Sequence, residues 1–279
     1  MAILNRYLGT MVEVIQKYQG TIDEFIGDAI FILFGAPVQR DDDAERAVAC
    51  AMAMQLAMAG VNAQNRTEGL PEVEMGIGIH TGEVVVGNIG SDRRTKYGVV
   101  GSHVNLTARI ESYTVGGQVL ISEDTWHEIG PSLQVAEKLE VDAKGVDKPI
   151  TIYNARGIGG QYNLFLPDST VALVSLPQAI PLQFTLLEGK HTGDTVFTGS
   201  LVKLSAKDGE VRSDHTVESW SNIKLQLMSN NGEELPGDLY AKVMGARTED
   251  GSGFVVHFTS IPPQVAAFFE RLLAASSPE

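Results

Sequence analysis

Two periodicities divide this chain. As far as residue 156, apolar residues recur alternately at helical and at strand spacing; after Gly157 the runs are short and strand-like, with no helical pattern until the end. A helix buries a stripe about every 3.6 residues and a strand buries every second residue, so the change marks two domains of different class. At 279 residues the chain is long enough for each to hold its own core. The reading sets a first domain at 1–156, a linker at 157–164 in "GIGGQYN", and a second domain at 165–279.

"ILNRYLGTMVEVIQKY" carries Leu4, Leu8, Met11, Val12 and Ile15 at helical spacing, and Gly20 ends that helix. "GTIDEFIGDAIFILFG" reads as two strands joined by a tight turn at Gly27-Asp28. "DDDAERAVACAMAMQLAMAGVNAQNR" is a long helix with acidic residues in its first turn, where they suit the helix dipole. "VEMGIGIHTGEVVVGNIG" is read as a hairpin turning at Thr81-Gly82; strand-then-helix follows twice, and "LEVDAKGVDKPITIYNARG" closes with two strands. This order predicts an α+β fold, a mixed sheet covered by helices. Beyond Gly157, "IPLQFTLLEG", "DTVFTGSLVKLS", "SNIKLQLMS", "DLYAKVMGA" and "GFVVHFTS" predict a small antiparallel β-barrel, and "PPQVAAFFERLLAA" a C-terminal helix.

A formal charge of -14 opposes nucleic acid and anionic membrane as general partners, so an anionic ligand needs a locally basic pocket or a metal ion. No apolar run is read as reaching the roughly 18 residues of a membrane span, and the start lacks the features of a signal peptide, so the expectation is a cytoplasmic protein. The single cysteine, Cys50, lies in "AVACAMAMQLAMA" and reads as a small core residue.

Six segments, in order and without large gaps, carry a resemblance: "YLGTMVEVIQKYQGTIDEFIGDAIFILFGAP", "DDAERAVACAMAMQ", "MGIGIHTGEVVVGNIGS", "YGVVGSHVNLTARIES", "GGQVLISE" and "AKGVDKPITIY". Together they resemble the catalytic domain of class III adenylate and guanylate cyclases over residues 1 to 156. The resemblance implies a ferredoxin-like mixed sheet with helices and a homodimer with interfacial active sites. It also implies conversion of GTP or ATP to a 3′,5′-cyclic monophosphate and pyrophosphate, with two Mg²⁺ or Mn²⁺ ions per site.

Residue by residue, Asp28 matches a metal-binding aspartate, and a hairpin turn projects such a carboxylate from a fixed backbone. Asn105 and Arg109, four apart on one helix face, match the residues that orient the ribose and stabilise charge on the α-phosphate. Lys144 and Arg94 match positions that contact the polyphosphate. Glu24 falls where the family reads the purine, with lysine typical of adenylate and glutamate of guanylate cyclases. Guanine offers N1–H and a 2-amino group to a carboxylate, whereas adenine N1 is an acceptor and would face its negative charge. Gly98 occupies the second base-reading position and has no side chain with which to read, so the preference for GTP rests mostly on Glu24.

The family's pattern opens with a strand carrying the first metal aspartate, and in this sequence no Asp precedes Asp23. The expectation is therefore an N-terminally truncated cyclase domain whose first strand is missing, with little or no activity by itself. A non-catalytic, cyclase-like dimerisation or scaffold protein is the alternative. The second domain is distantly similar to PilZ barrels. Of their ligand motif "KLSAKD" keeps Ser205, with Lys203 and Asp208 in key places, so cyclic di-GMP binding is not expected.

Overall fold

In the computed structural model, which describes residues 1–91, 93–141, 149–167, 172–188, 191–192, 195–228, 234–247 and 253–276, the chain begins in helix α1, Ala2–Lys17. Its apolar stripe buries Met11 and Ile15 against α2, Asp43–Thr67. Helix α2 is apolar on two sides. Ala44, Val48, Ala49, Ala51 and Met52 join the sheet-side core, while Cys50, Met54, Met58 and Val61 join the α1 side. A helix with two apolar faces belongs inside a domain. Residues 47–64 carry no charged side chain, and α2 is by length and composition apolar enough to cross a membrane, contrary to the sequence expectation. Yet 44% of that window is buried inside the protein, as in a core helix.

Between the two helices runs the hairpin β1, Thr21–Ile26, and β2, Ala29–Leu33, in register from Thr21↔Leu33 to Ile26↔Ala29. Then come β3 Ile77–Ile79, β4 Val85–Ser91, β5 Arg94–Val100, α3 Ser102–Ser112, β6 Val119–Ser122, α4 Glu123–Ile129, β7 Leu133–Val141, β8 Ile150–Ile158 and β9 Leu164–Phe165. The mixed sheet has the order β3-β6-β8-β7, parallel between β3 and β6 and antiparallel beyond, with β9 paired to β8.

One sequence expectation about strand pairing is corrected here. There is no hairpin at Thr81-Gly82: β3 pairs with β6, and β4 forms its hairpin with β5. The sheet is also not continuous, because β1–β2 and β4–β5 are separate two-stranded ladders. Among the described residues β2 and β3 each pair on one side only, and an apolar cleft lined by Ile30, Ile32, Ala47, Ala51, Ile77 and Ile79 lies where the sheet breaks. Residues 157–164, read as a linker, include the end of β8 and the start of β9. The compact units divide after Pro167, into Met1–Pro167 and Asp168–Glu279.

The second unit contains β10 Val174–Glu188, β11 His191–Thr192, β12 Phe197–Leu204, β13 Asp208–Arg212, β14 Asn222–Leu227, β15 Leu239–Arg247, β16 Gly253–Ser260 and α5 Pro263–Ser276. Strand β10 pairs with both β12 and β14, which closes the ring β10-β12-β13-β16-β15-β14 into a six-stranded antiparallel barrel and removes its open edges. Leu182, Phe184, Leu201, Val211, Leu225 and Val256 fill it, and α5 adds Val265 and Phe269 to that core. Strand β13 escaped the sequence reading because "DGEVR" turns only Gly209 and Val211 toward the barrel core, while its other buried residue, Glu210, is charged.

The Cys50 thiol is 1% exposed and burial pushes its pKa up to about 12. Thiol reagents at pH 8 should therefore label it only as fast as the domain opens, and fully in denaturant. Rapid labelling of the native protein would contradict this placement.

Candidate active site

Gly27, at φ 68°, makes the two-residue turn between β1 and β2 and leaves Asp28 exposed at the hairpin tip. Among the described residues Asp28 has no hydrogen bond or ion pair. Its charge is felt nearby: burial, and then the Asp28 carboxylate, hold the Tyr7 phenol above the usual tyrosine range.

Strand β1 carries a bulge, because Ile22 pairs with Ile32 and Glu24 with Phe31, leaving Asp23 as the extra residue. The bulge breaks the two-residue alternation, and both carboxylates reach one ammonium: Lys96 Nζ lies 3.0 Å from Glu24 Oε2 and 3.7 Å from Asp23 Oδ2. Glu24 and Lys96 are about half exposed, so their pair contributes only ~0–1 kcal/mol and yields readily to a ligand. The Asp23 side chain is 6% exposed, and its Oδ1 has no hydrogen-bond partner.

Gly98 is buried on β5, and a Cβ there would sit 3.7 Å from that oxygen. The structure thus brings Glu24 and Gly98, far apart in sequence, to one place where β1 meets β5. Lys96 was missed by the sequence reading. Its only signal was its position two residues before Gly98, on the same strand face.

Beyond β5, Gly101 leads into α3, where Asn105 is exposed and Arg109 half-buried, one turn apart. Neither side chain has a hydrogen bond or ion pair among the described residues. The helix is seated on β3 through glycines. A Cβ at Gly78 would strike the backbone of Glu111, and one at Gly76 the Thr114 side chain. The "GIG" of residues 76–78, which leads into β3, is therefore the bed of the helix that carries Asn105 and Arg109. Arg94 opens β5, exposed and opposite Ser91. Lys144 lies outside the described residues. Among the described residues no three or more His, Cys, Asp or Glu side chains converge as a metal site.

Residues 1–156 match the family described as the adenylate and guanylate cyclase catalytic domain. The chain is 33% identical over 160 residues to adenylate cyclase 1 of Rhizobium meliloti (strain 1021), a match covering 57% of this chain and 24% of that protein. To the adenylate cyclase of Anabaena cylindrica it is 36% identical over 163 residues, covering 55% and 31%. It thus spans about a quarter to a third of the length of these curated relatives. Among solved structures it is similar to the guanylyl cyclase Cya2, with 56% identity, a TM-score of 0.58 and coverage of 60% of this chain and 84% of that one. The adenylyl cyclase CyaB from P. aeruginosa follows at 35% identity and a TM-score of 0.54, covering 58% and 84%.

Proposed function

Residues 1–156 belong to the adenylate and guanylate cyclase catalytic domain family, and from that premise we propose that this unit converts a purine nucleoside triphosphate, GTP before ATP, into its 3′,5′-cyclic monophosphate and pyrophosphate. The observation that carries the reading is the placement of Asn105 and Arg109, without partners among the described residues, on the helix that follows β5, whose Gly98 abuts the Asp23-Glu24 bulge.

The ribose 3′-hydroxyl gives up its proton to solvent and attacks the α-phosphorus in line, and the pyrophosphate oxygen leaves with the electron pair of the broken P–O bond. Charge grows on the α-phosphate oxygens in the transition state, and the Arg109 guanidinium is the fork that meets it. Asn105, one turn earlier, holds the ribose so that the hydroxyl is aligned before reaction. Arg94 and Lys144 would bind the polyphosphate.

At the base end, the Glu24 carboxylate accepts from guanine N1–H and the 2-amino group, and the neighbouring Lys96 ammonium donates to O6. Adenine would set its N1 acceptor against the carboxylate and its amino donor against the ammonium. Once a seated base has excluded water from these groups, each such mismatch costs about 1–3 kcal/mol. Glu24→Lys should consequently move the GTP-to-ATP ratio of kcat/KM toward ATP by about tenfold or more, read from steady-state kinetics with each nucleotide.

Asp28 is an exposed oxygen donor, without a hydrogen bond or ion pair among the described residues, of the kind Mg²⁺ or Mn²⁺ takes, so it would hold the ion. When bound, the ion acidifies the attacking hydroxyl and offsets leaving-group charge. Two ions need more carboxylate than Asp28 supplies, and among the described residues no cluster of acidic side chains adds to it, so low turnover is expected. Phe25, Ile26, Val85, Ile89, Tyr97 and Val100 are exposed on the two hairpins, which supports a homodimer whose sites lie between subunits. A nucleoside triphosphate substrate suits a cytoplasmic location.

The open cleft beside β3 and the lack of converging carboxylates among the described residues favour the second reading, a non-catalytic cyclase-like scaffold. The barrel serves best as a PilZ-like protein-contact module. Ser205 is 1% exposed, and its Oγ accepts from Asp208 N at 2.9 Å, so this motif residue closes the β12–β13 turn. Turnover of GTP and ATP with Mg²⁺ or Mn²⁺, by this chain and by the longest product of its gene, decides among these readings. Cyclic GMP supports the whole reading, cyclic AMP removes only the base assignment, and no product from either form leaves the scaffold.

A further inference from the structure

One face of the segment around β3 presents Gly76, Gly78, residue 80 and Gly82 in two-residue alternation, and α3 lies on it. A Cβ at Gly82 would run into the His103 ring, so this glycine makes room for that imidazole. Position 80 is the one non-glycine of the four, and it is a histidine with a side chain 1% exposed. His80 Nε2 lies 2.6 Å from His103 Nδ1, the two rings meeting edge to edge, 29° from parallel, with centroids 4.9 Å apart. On its other side His80 Nδ1 lies 2.8 Å from Ser122 Oγ, at the end of β6.

Ser122 is held in turn: its Oγ accepts from Thr125 N at 3.2 Å and lies 3.1 Å from Thr125 Oγ1, which is 3.0 Å from Thr81 Oγ1. His103 is the second residue of α3 and stands two residues before Asn105. A continuous polar chain therefore ties the first turn of α3 to β3, β6 and α4.

The proton count of that chain is restricted by its geometry. With the pair neutral, one ring nitrogen donates and the facing one accepts. With one added proton, His103 Nδ1–H donates to His80 Nε2 and His80 Nδ1–H donates to Ser122 Oγ, so every bond survives and the central one is charge-assisted. A second proton sets two N–H groups against each other at 2.6 Å, and that bond cannot exist. Among the described residues the charged groups facing the pair are few. Asp124 of α4 lies 3.8 Å from His80 Nδ1 and is largely exposed; Glu128 of α4 and Asp43 of α2 line the same cleft, and Asp43 is engaged by Arg46. Strand β6 offers only the Ser122 hydroxyl.

We propose that His80 and His103 are a positioning pair, a one-proton pin that seats the first turn of α3 on β3 and is released by a second proton. Its consequence for Asn105 and Arg109 rests on the cyclase reading; the pin itself does not. Burial, then the neighbouring His103, hold His80 below the ordinary imidazole pKa, with Asp124 acting in the opposite direction. The sign follows. A depressed histidine contributes stability that is present above the unfolded-state value near 6.5 and is lost as pH falls toward the lowered folded value.

The test uses the full chain. Imidazole ¹H–¹⁵N spectra from pH 8 to 5 report each ring's protonation, and hydrogen-exchange protection factors of the amides of residues 104–110 report the seating of α3. Protection should fall with acid by up to about tenfold per pH unit, the slope of one linked proton, over the interval in which the second ring charges. Amides of β8 should hold theirs. In His103→Gln, where an uncharged amide still donates to His80 Nε2, α3 should stay protected and the acid dependence should disappear. Two results would each overturn the pin: both rings charging in the wild type while α3 protection is unchanged, or the acid dependence persisting in His103→Gln. Absence of binding by a fluorescent GTP analogue, with the α3 dependence intact, would count against the cyclase reading alone.

Discussion

Arg109→Ala, made in a form of this protein that turns over nucleotide, should lower kcat by about 10²- to 10³-fold, the usual consequence of removing a preorganised group from developing charge. On the role proposed for Arg109 the loss belongs in kcat rather than KM, because the charge it would meet is larger in the transition state than in a bound triphosphate. Stability should change little, since the guanidinium has no hydrogen bond or ion pair among the described residues whose partner truncation would orphan. Lysine should restore only part of the activity, because a single ammonium cannot reproduce the planar fork on two phosphate oxygens. Steady-state kinetics on the alanine and lysine variants, with thermal unfolding as the control for folding, check this. An unchanged kcat would remove Arg109 from the chemistry.

Phe184→Ala should destabilise the barrel by about 3–5 kcal/mol, the range for emptying an aromatic site in a packed core. Phe184 is 1% exposed and lies 5.4 Å from the Phe197 ring and 5.5 Å from the Phe254 ring, between centroids. Those neighbours stand on β12, beside β10, and on β16, across the closed ring from it, so neither collapses easily into the space left. Urea unfolding followed by circular dichroism measures the shift of the midpoint at constant slope. A loss under about 1 kcal/mol, the scale of a surface substitution, would show that the barrel is not centred on this residue.

How much of this was legible in advance follows from the range of the interactions. The bulge at Asp23 left no mark in "GTIDEFIG", yet it puts two adjacent carboxylates on one lysine some seventy residues away. Strand β13 was invisible because its register partners, not its composition, make it a strand. The apparent hairpin at Thr81-Gly82 failed for a related reason. Glycines that look like turn residues are there to let a helix backbone approach β3, as the collision of a Gly78 side chain with Glu111 shows.

By itself the sequence determined what depends on neighbours within a turn or two: helices α1, α2 and α3, the Gly27-Asp28 turn, the shared face of Asn105 and Arg109, and the change of class after residue 156. These follow from periodicity and backbone preference, which are local. The tertiary structure alone decided which strands pair, where the sheet breaks beside β3, that Lys96 stands against Glu24, and that His80 meets His103. Hydrogen bonds between strands and contacts between side chains distant in sequence form only once the whole core has collapsed, and no local pattern encodes which partner each will find.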